Sequence, residues 1–205
     1  MTSPVQHDIY RLVRMQERRF QRWDKERGDA WKDCAVEALF FDLVGHINAL
    51  AAAADGRPRD TLTILHEAAD VANYAVMIAF QTGALKASLA QLPFSQRLPI
   101  GAVREEILIL AIEQERRFNY QEVRYRAHWK HLPAATLIND ALKHATILAR
   151  DAEKIPDDLI ELLHGAADVA NDAVMVAHQT GAIDFLEIPS EPRSSSPQPH
   201  GTIAP

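Results

Sequence analysis

Cysteine is nearly absent: Cys34 stands alone in 205 residues, so no intrachain disulfide can form, and a reducing, cytoplasmic location is the expectation. Apolar residues never run uninterrupted for long enough to suggest a bilayer span, and Met1 to Arg14 lacks the apolar core of a signal peptide. No membrane partner is therefore expected. Basic charge is also short, with 22 Lys and Arg against 28 Asp and Glu for a net charge of −6, which disfavours a nucleic-acid backbone as main partner. Strand-like alternation appears nowhere, and the pattern predicts an all-α chain.

What the chain does have is a repeat. Leu65 to Ala84 reads LHEAADVANYAVMIAFQTGA, and Leu163 to Ala182 reads LHGAADVANDAVMVAHQTGA. His66 and His164 stand 98 positions apart, as do the QERRF stretches beginning at Gln16 and Gln114. Between these anchors the same offset pairs Trp31 with Trp129, Lys32 with Lys130, Asp42 with Asp140, His46 with His144, and Pro58 with Pro156. The chain is a tandem duplication of one helical unit.

Helical spacing predicts three long helices per copy. In the first copy they cover about Val5 to Arg27, Ala35 to Ala54, and Asp60 to Gly83, with Asp60 as N-cap and Gly83 in the left-handed position past the end. In the second they cover about Ala102 to Arg126, Pro133 to Glu153, and Pro156 to Thr180, with Pro156 in a first turn. Residues 1–92 and 100–186 are then the two repeats and 93–99 the link. The Pro- and Ser-rich stretch 187–205 reads as a disordered tail.

Chemistry concentrates on the third helix of each copy and the helix before it. Glu67 and Asp70 fall three residues apart, with Asn73 on the next turn, so the three share one stripe. Paired carboxylates on a bundle helix make a half-site for a hard divalent cation, although such pairs are commonly solvated surface. A second arrangement is open: Asp42 and His46 on one helix and His66 and Asp70 on the next, with Asp140, His144, His164 and Asp168 in the other copy. Convergence of either set would suit zinc or manganese, whereas structural His–carboxylate pairing is the plainer expectation. Arg18-Arg19 and Arg116-Arg117 could face a phosphate, but basic pairs on a helix more often form a solvated face, and Trp31 and Trp129 read as plugs at the base of each unit rather than as stacks for a nucleobase.

The tract from Trp31-Lys32-Asp33-Cys34 to Glu67-Ala68-Ala69-Asp70-Val71-Ala72-Asn73 and onward to Ile78 resembles the MazG-like, all-α nucleoside triphosphate pyrophosphohydrolases. In that family a Trp-containing turn leads to a helix bearing EExxE, and a second helix bears ExxD in a phrase close to EAADVANFAMMI. The acidic side chains hold magnesium ions on a triphosphate, and water attacks to release pyrophosphate. The resemblance implies a pseudo-two-fold helical bundle of two tandem MazG-like repeats. It places catalytic and metal roles on Glu67 and Asp70, with His46 and Asp168 as further ligands. Lys32, Lys130, Asn73 and Asn171 become the candidate nucleotide contacts. Magnesium or manganese would be the cofactor, a nucleoside triphosphate the partner, and self-association an expectation.

The first acidic motif, however, falls on Gly45, His46 and Ala49, and in the second copy on Lys143, His144 and Ile147. The second motif becomes Gly165 and Asp168 in copy two. A site stripped of oxygen donors should bind magnesium weakly. The sequence therefore favours a nucleotide- or partner-binding protein over an efficient hydrolase. An active pyrophosphohydrolase and a plain helical scaffold are the alternatives.

Overall fold

The computed structural model describes residues 4–89, 103–125, 128–153 and 158–186, with side chains at 7–87, 103–120, 128–153 and 158–186. The link assigned to 93–99, the tail 187–205 and Pro156 lie outside these. Among the described residues the chain is all-α. Its helices are α1 (Pro4–Arg27), α2 (Val36–Asp55), α3 (Thr61–Gln81), α4 (Ala84–Leu89), α5 (Glu105–Tyr125), α6 (Ala134–Glu153) and α7 (Leu159–Gln179). Short 3-10 turns at Gly28–Asp33, His128–His131 and Ala182–Phe185 join or end them.

Local chemistry sets the helix limits. Asp60 caps α3 by accepting from the amides of Leu62 and Thr63, both at 3.1 Å. Asp158 does the same for α7, accepting from Ile160 at 2.9 Å and Glu161 at 3.4 Å. With that cap, α7 starts at Leu159. At the other ends Gly83 and Gly181 take φ of 81° and 73°, the left-handed geometry that stops a helix. The short α4 lies beyond the three helices expected of the first copy; Ala84 and Leu85, which open it, are buried.

α3 and α7 form the centre. From Ala68 to Ala79 only Tyr74 is not fully buried on α3, and on α7 every residue from Ala166 to Ala177 is buried. A helix enclosed on all sides must be apolar or small almost everywhere, and the alanines let the two backbones approach. Each of α1, α2 and α3 packs against its counterpart 98 positions later, α5, α6 and α7 respectively. One continuous core results, running from Ile9 through Leu43, Ile47 and Val76 to Leu148 and Val174. Each large aliphatic side chain so enclosed contributes about 1.5–3 kcal/mol.

Polar ties bridge the halves as well. Tyr10 donates to Glu115 at 2.9 Å, and His178 meets Asp8 at 2.7 Å. Arg104 lies over the Phe20 ring and pairs with Glu17 at 3.1 Å and Asp24 at 2.8 Å. α2 is, by length and composition alone, long and apolar enough to cross a membrane, a test that the core helix of a soluble protein passes as well. Yet it buries only Leu39, Leu43, Ile47, Leu50 and Ala54, the face toward the core.

Candidate functional site

The site lies where α1, α2 and α3 meet. Asp70 projects from the enclosed middle of α3 and is fully buried. α1 delivers Arg19 to it, and the guanidinium forks onto the carboxylate: Nε donates to Oδ1 at 2.8 Å, and Nη2 donates to Oδ2. The hydrogen bond and charge of Asp70 raise Arg19 above its ordinary value despite burial. α2 adds His46, whose Nδ1 stands 2.7 Å from Glu67 Oε2 and 3.9 Å from Asp70 Oδ2. Burial works against a charge on this imidazole, but the Glu67 hydrogen bond and the fields of Asp70, Glu67 and Asp42 prevail and raise it.

Ligand atoms of His46, Glu67 and Asp70 all fall within 4.8 Å of one another, the one such group among the described residues. Asp42 and His66 stand outside it. Asp42 instead accepts from the Tyr74 hydroxyl at 3.3 Å, and Tyr74 stacks on His46 at 5.0 Å between ring centres. Burial and Asp42 push the Tyr74 phenol up.

The second half rebuilds the site with one exchange. Arg117 forks onto Asp168 at 3.0 and 2.5 Å, and the hydrogen bond to Asp168 raises Arg117. Gly165 replaces Glu67, and Asp172 stands where the first half has Tyr74. His144 therefore finds its acid one turn beyond Asp168 instead of one turn before Asp70, with Nδ1 2.7 Å from Asp172 Oδ2. Burial pushes the Asp172 carboxyl up to about 6, with His144 opposing. The Asp172 hydrogen bond in turn raises His144 against burial. Both halves thus hold one arginine, one buried aspartate, one histidine and one further acid. His164 belongs to a separate cluster, 2.6 Å from Arg116 and 3.3 Å from Glu113.

The remaining candidates sit elsewhere. Asn73 and Asn171 are buried and donate to the carbonyls of Gln16 and Gln114, each at 3.2 Å, which ties α3 to α1 and α7 to α5. Their Oδ1 atoms, with the Gln16 and Gln114 side-chain amides, are buried without partners among the described residues. Lys32 and Lys130 lie over the rings of Trp31 and Trp129, at 5.5 and 5.6 Å. The Gln81 amide holds the carbonyls of Trp31 and Lys32 at 3.0 and 2.5 Å. Since position 81 is eleven residues beyond position 70, this turn lies about 16 Å along α3 from the buried aspartate. Trp31 packs between Phe20 and Phe80, with ring centres 5.4 and 5.0 Å away.

Magnesium does not fit this donor set. Both Asp70 oxygens already hold Arg19, which leaves Glu67 and an imidazole where the ion wants an octahedron of oxygens. The arginines are what sequence reasoning misses, because basic pairs on a helix read as solvated, and Arg19 and Arg117 are not. Their signal is present in the repeat, since the second arginine of QERRF and the aspartate of AADVAN recur together at one offset. Compared with protein-family models, curated proteins and solved structures, the chain matches none.

Proposed function

We propose that this chain is a MazG-like scaffold turned into a binding protein, with a guanidinium standing in each half where the resemblance puts a metal cation. The observation that carries the reading is the paired fork, Arg19 on Asp70 and Arg117 on Asp168. A bidentate arginine balances the charge of a buried carboxylate and engages both of its oxygens, so the aspartate has less to offer an ion. Pseudo-two-fold packing of the two repeats is part of the proposal, supported by the pairing of each helix with its counterpart. A cytoplasmic setting is supported by the lone, exposed Cys34.

The ligand is more in keeping with a macromolecular partner than with a triphosphate. Lys32 and Lys130 are drawn onto tryptophan faces, and Arg19 and Arg117 are spent on aspartates, so among the described residues no cluster of free cations is seen around Glu67. The hydrolase alternative rests on the His46, Glu67 and Asp70 group and requires Arg19 to leave Asp70. Incubation with a panel of ribo- and deoxyribonucleoside triphosphates and magnesium or manganese separates the two. The expected result is no pyrophosphate and no nucleotide-dependent thermal shift. Turnover that disappears in Asp70→Asn would overturn the proposal in favour of the enzyme, and a thermal shift without turnover would make the ligand a nucleotide.

A further inference from the structure

The solvent face of α1 carries a charge pattern that the site does not use. Arg11, Arg14, Arg18, Arg22 and Lys25 follow one another three or four positions apart, which sets them in one stripe along the helix. Within the arc they span, about 80°, the other described side chain is His7, so no acid interrupts them. The acids of α1 lie to either side and are taken: Asp8 by His178, Glu17 and Asp24 by Arg104, and Glu26 by Arg22. Arg11 reaches Asp8 and Asp184. Arg14, Arg18 and Lys25 are exposed and make no ion pair or hydrogen bond among the described residues, in a chain with 28 Asp and Glu against 22 Lys and Arg. Like charges at these spacings destabilise a helix, so the stripe is not there for the fold. The duplicate helix lacks it: α5 has Ile109, Ile112, Tyr120 and Val123 at the positions of Arg11, Arg14, Arg22 and Lys25, and its Arg116 is held by Glu113.

Acids mark where the stripe ends. Exposed Asp184 stands 3.6 Å from Arg11 at one end, and exposed Glu26 and Asp29 follow Lys25 at the other. Between them Arg14 to Lys25 spans about 16 Å. A nucleic acid or an anionic membrane would extend past that length onto the acids, against the net charge of −6. The stripe also offers a membrane no apolar side chain to insert, because Ile9, Leu12, Val13 and Phe20 of α1 are buried. We infer that this face docks a short acidic segment of a partner protein in extended form. Alternate residues of a strand set carboxylates about 6.6 Å apart on one face, close to the rise of about 6 Å from Arg14 to Arg18 and from Arg18 to Arg22. About five extended residues fill the stripe, and a guanidinium grips a carboxylate with two parallel hydrogen bonds. The inference goes beyond the proposed binding role and does not rest on the arginine forks, since Arg19 lies about 100° around α1 from Arg18 and reaches α3.

Contacts between exposed charges are individually weak, so the affinity is modest and sensitive to salt. Fluorescence anisotropy of a dye-labelled peptide of alternating Glu and Ser, about nine residues long, mixed with the full chain at about 0.02 M salt, tests it. The expected result is a Kd between about 10 µM and 1 mM, weakened about tenfold at about 0.2 M salt and lost when Gln replaces Glu in the peptide. Arg14→Glu and Arg18→Glu should each weaken binding at least about tenfold without altering the circular dichroism melt. Arg57→Glu, which reverses an exposed cation elsewhere, should change it less than about twofold. Absence of binding overturns the inference, as does binding indifferent to Arg14→Glu and Arg18→Glu, or weakened as much by Arg57→Glu, which would make it an effect of net charge alone. Tighter binding of a duplex oligonucleotide or of phosphatidylserine vesicles through the same two arginines would also overturn it, by assigning the face to a nucleic acid or a membrane.

Discussion

His46 and His144 keep the same kind of neighbour by different routes. Glu67 serves the first and Asp172 the second, although neither acid has an acidic counterpart at the matching position of the other half. What duplication preserved is thus a local charge balance around Asp70 and Asp168, carried by whichever turn of the helix offered an acid. The two routes should titrate differently. Asp172 is raised from the ordinary aspartate value to about 6, so the folded state holds its proton more tightly than the unfolded chain. Stability from this group is full below about pH 4 and is lost as pH rises toward 6. His144 is raised as well, so its contribution is full below about 6.5, the ordinary histidine value, and declines as pH rises through the folded value. The two slopes have the same sign. Urea denaturation between pH 4 and 8 should show wild type losing stability with rising pH relative to Asp172→Asn, and imidazole NMR should place His144 lower in that variant. A difference between the two proteins that stays flat across this range would contradict the assignment.

At the scale of elements, the turns after α3 and α7 rest on Gly83 and Gly181. Each has a positive φ and nothing within 4 Å of the place an added methyl group would take, so a side chain there meets backbone strain and no collision. Gly83→Ala and Gly181→Ala should each cost about 1–2 kcal/mol, the penalty of a left-handed L-residue. Their effects should add in the double variant, as read by chemical denaturation. These turns, the Asp60 cap and the six long helices were legible because each depends on a local residue choice that the sequence repeats. The arginine forks were not legible. Whether Arg19 turns toward water or toward α3 depends on how α1 lies against α3, a tertiary fact to which helical spacing is blind. The inward stripe of α2, Leu39, Leu43, Ile47 and Leu50, was legible in its helical spacing, whereas packing adds Ala54 to it and leaves Ala38, Phe41 and Val44 facing out.

For the molecule as a whole, the contact of α3 with α7 decides whether two repeats mean two folding units. Both helices are enclosed mid-length, and much of that enclosure is each other, so neither half retains a closed core alone. Removal of a group from one half should then weaken the other equally. Tryptophan placement makes this measurable, because Trp23 and Trp31 report on the first half and Trp129 on the second. In a Trp129→Phe background, fluorescence follows the first half only. Adding Arg117→Ala removes the bidentate hydrogen bonds to the mostly buried Asp168 carboxylate in the second half, at a cost of about 1.5–3 kcal/mol. If the core is shared, the fluorescence midpoint of Trp23 and Trp31 should fall together with the helical signal in circular dichroism, in one transition. A first-half midpoint that stays in place while part of the helical signal melts early would mean that the repeats fold separately.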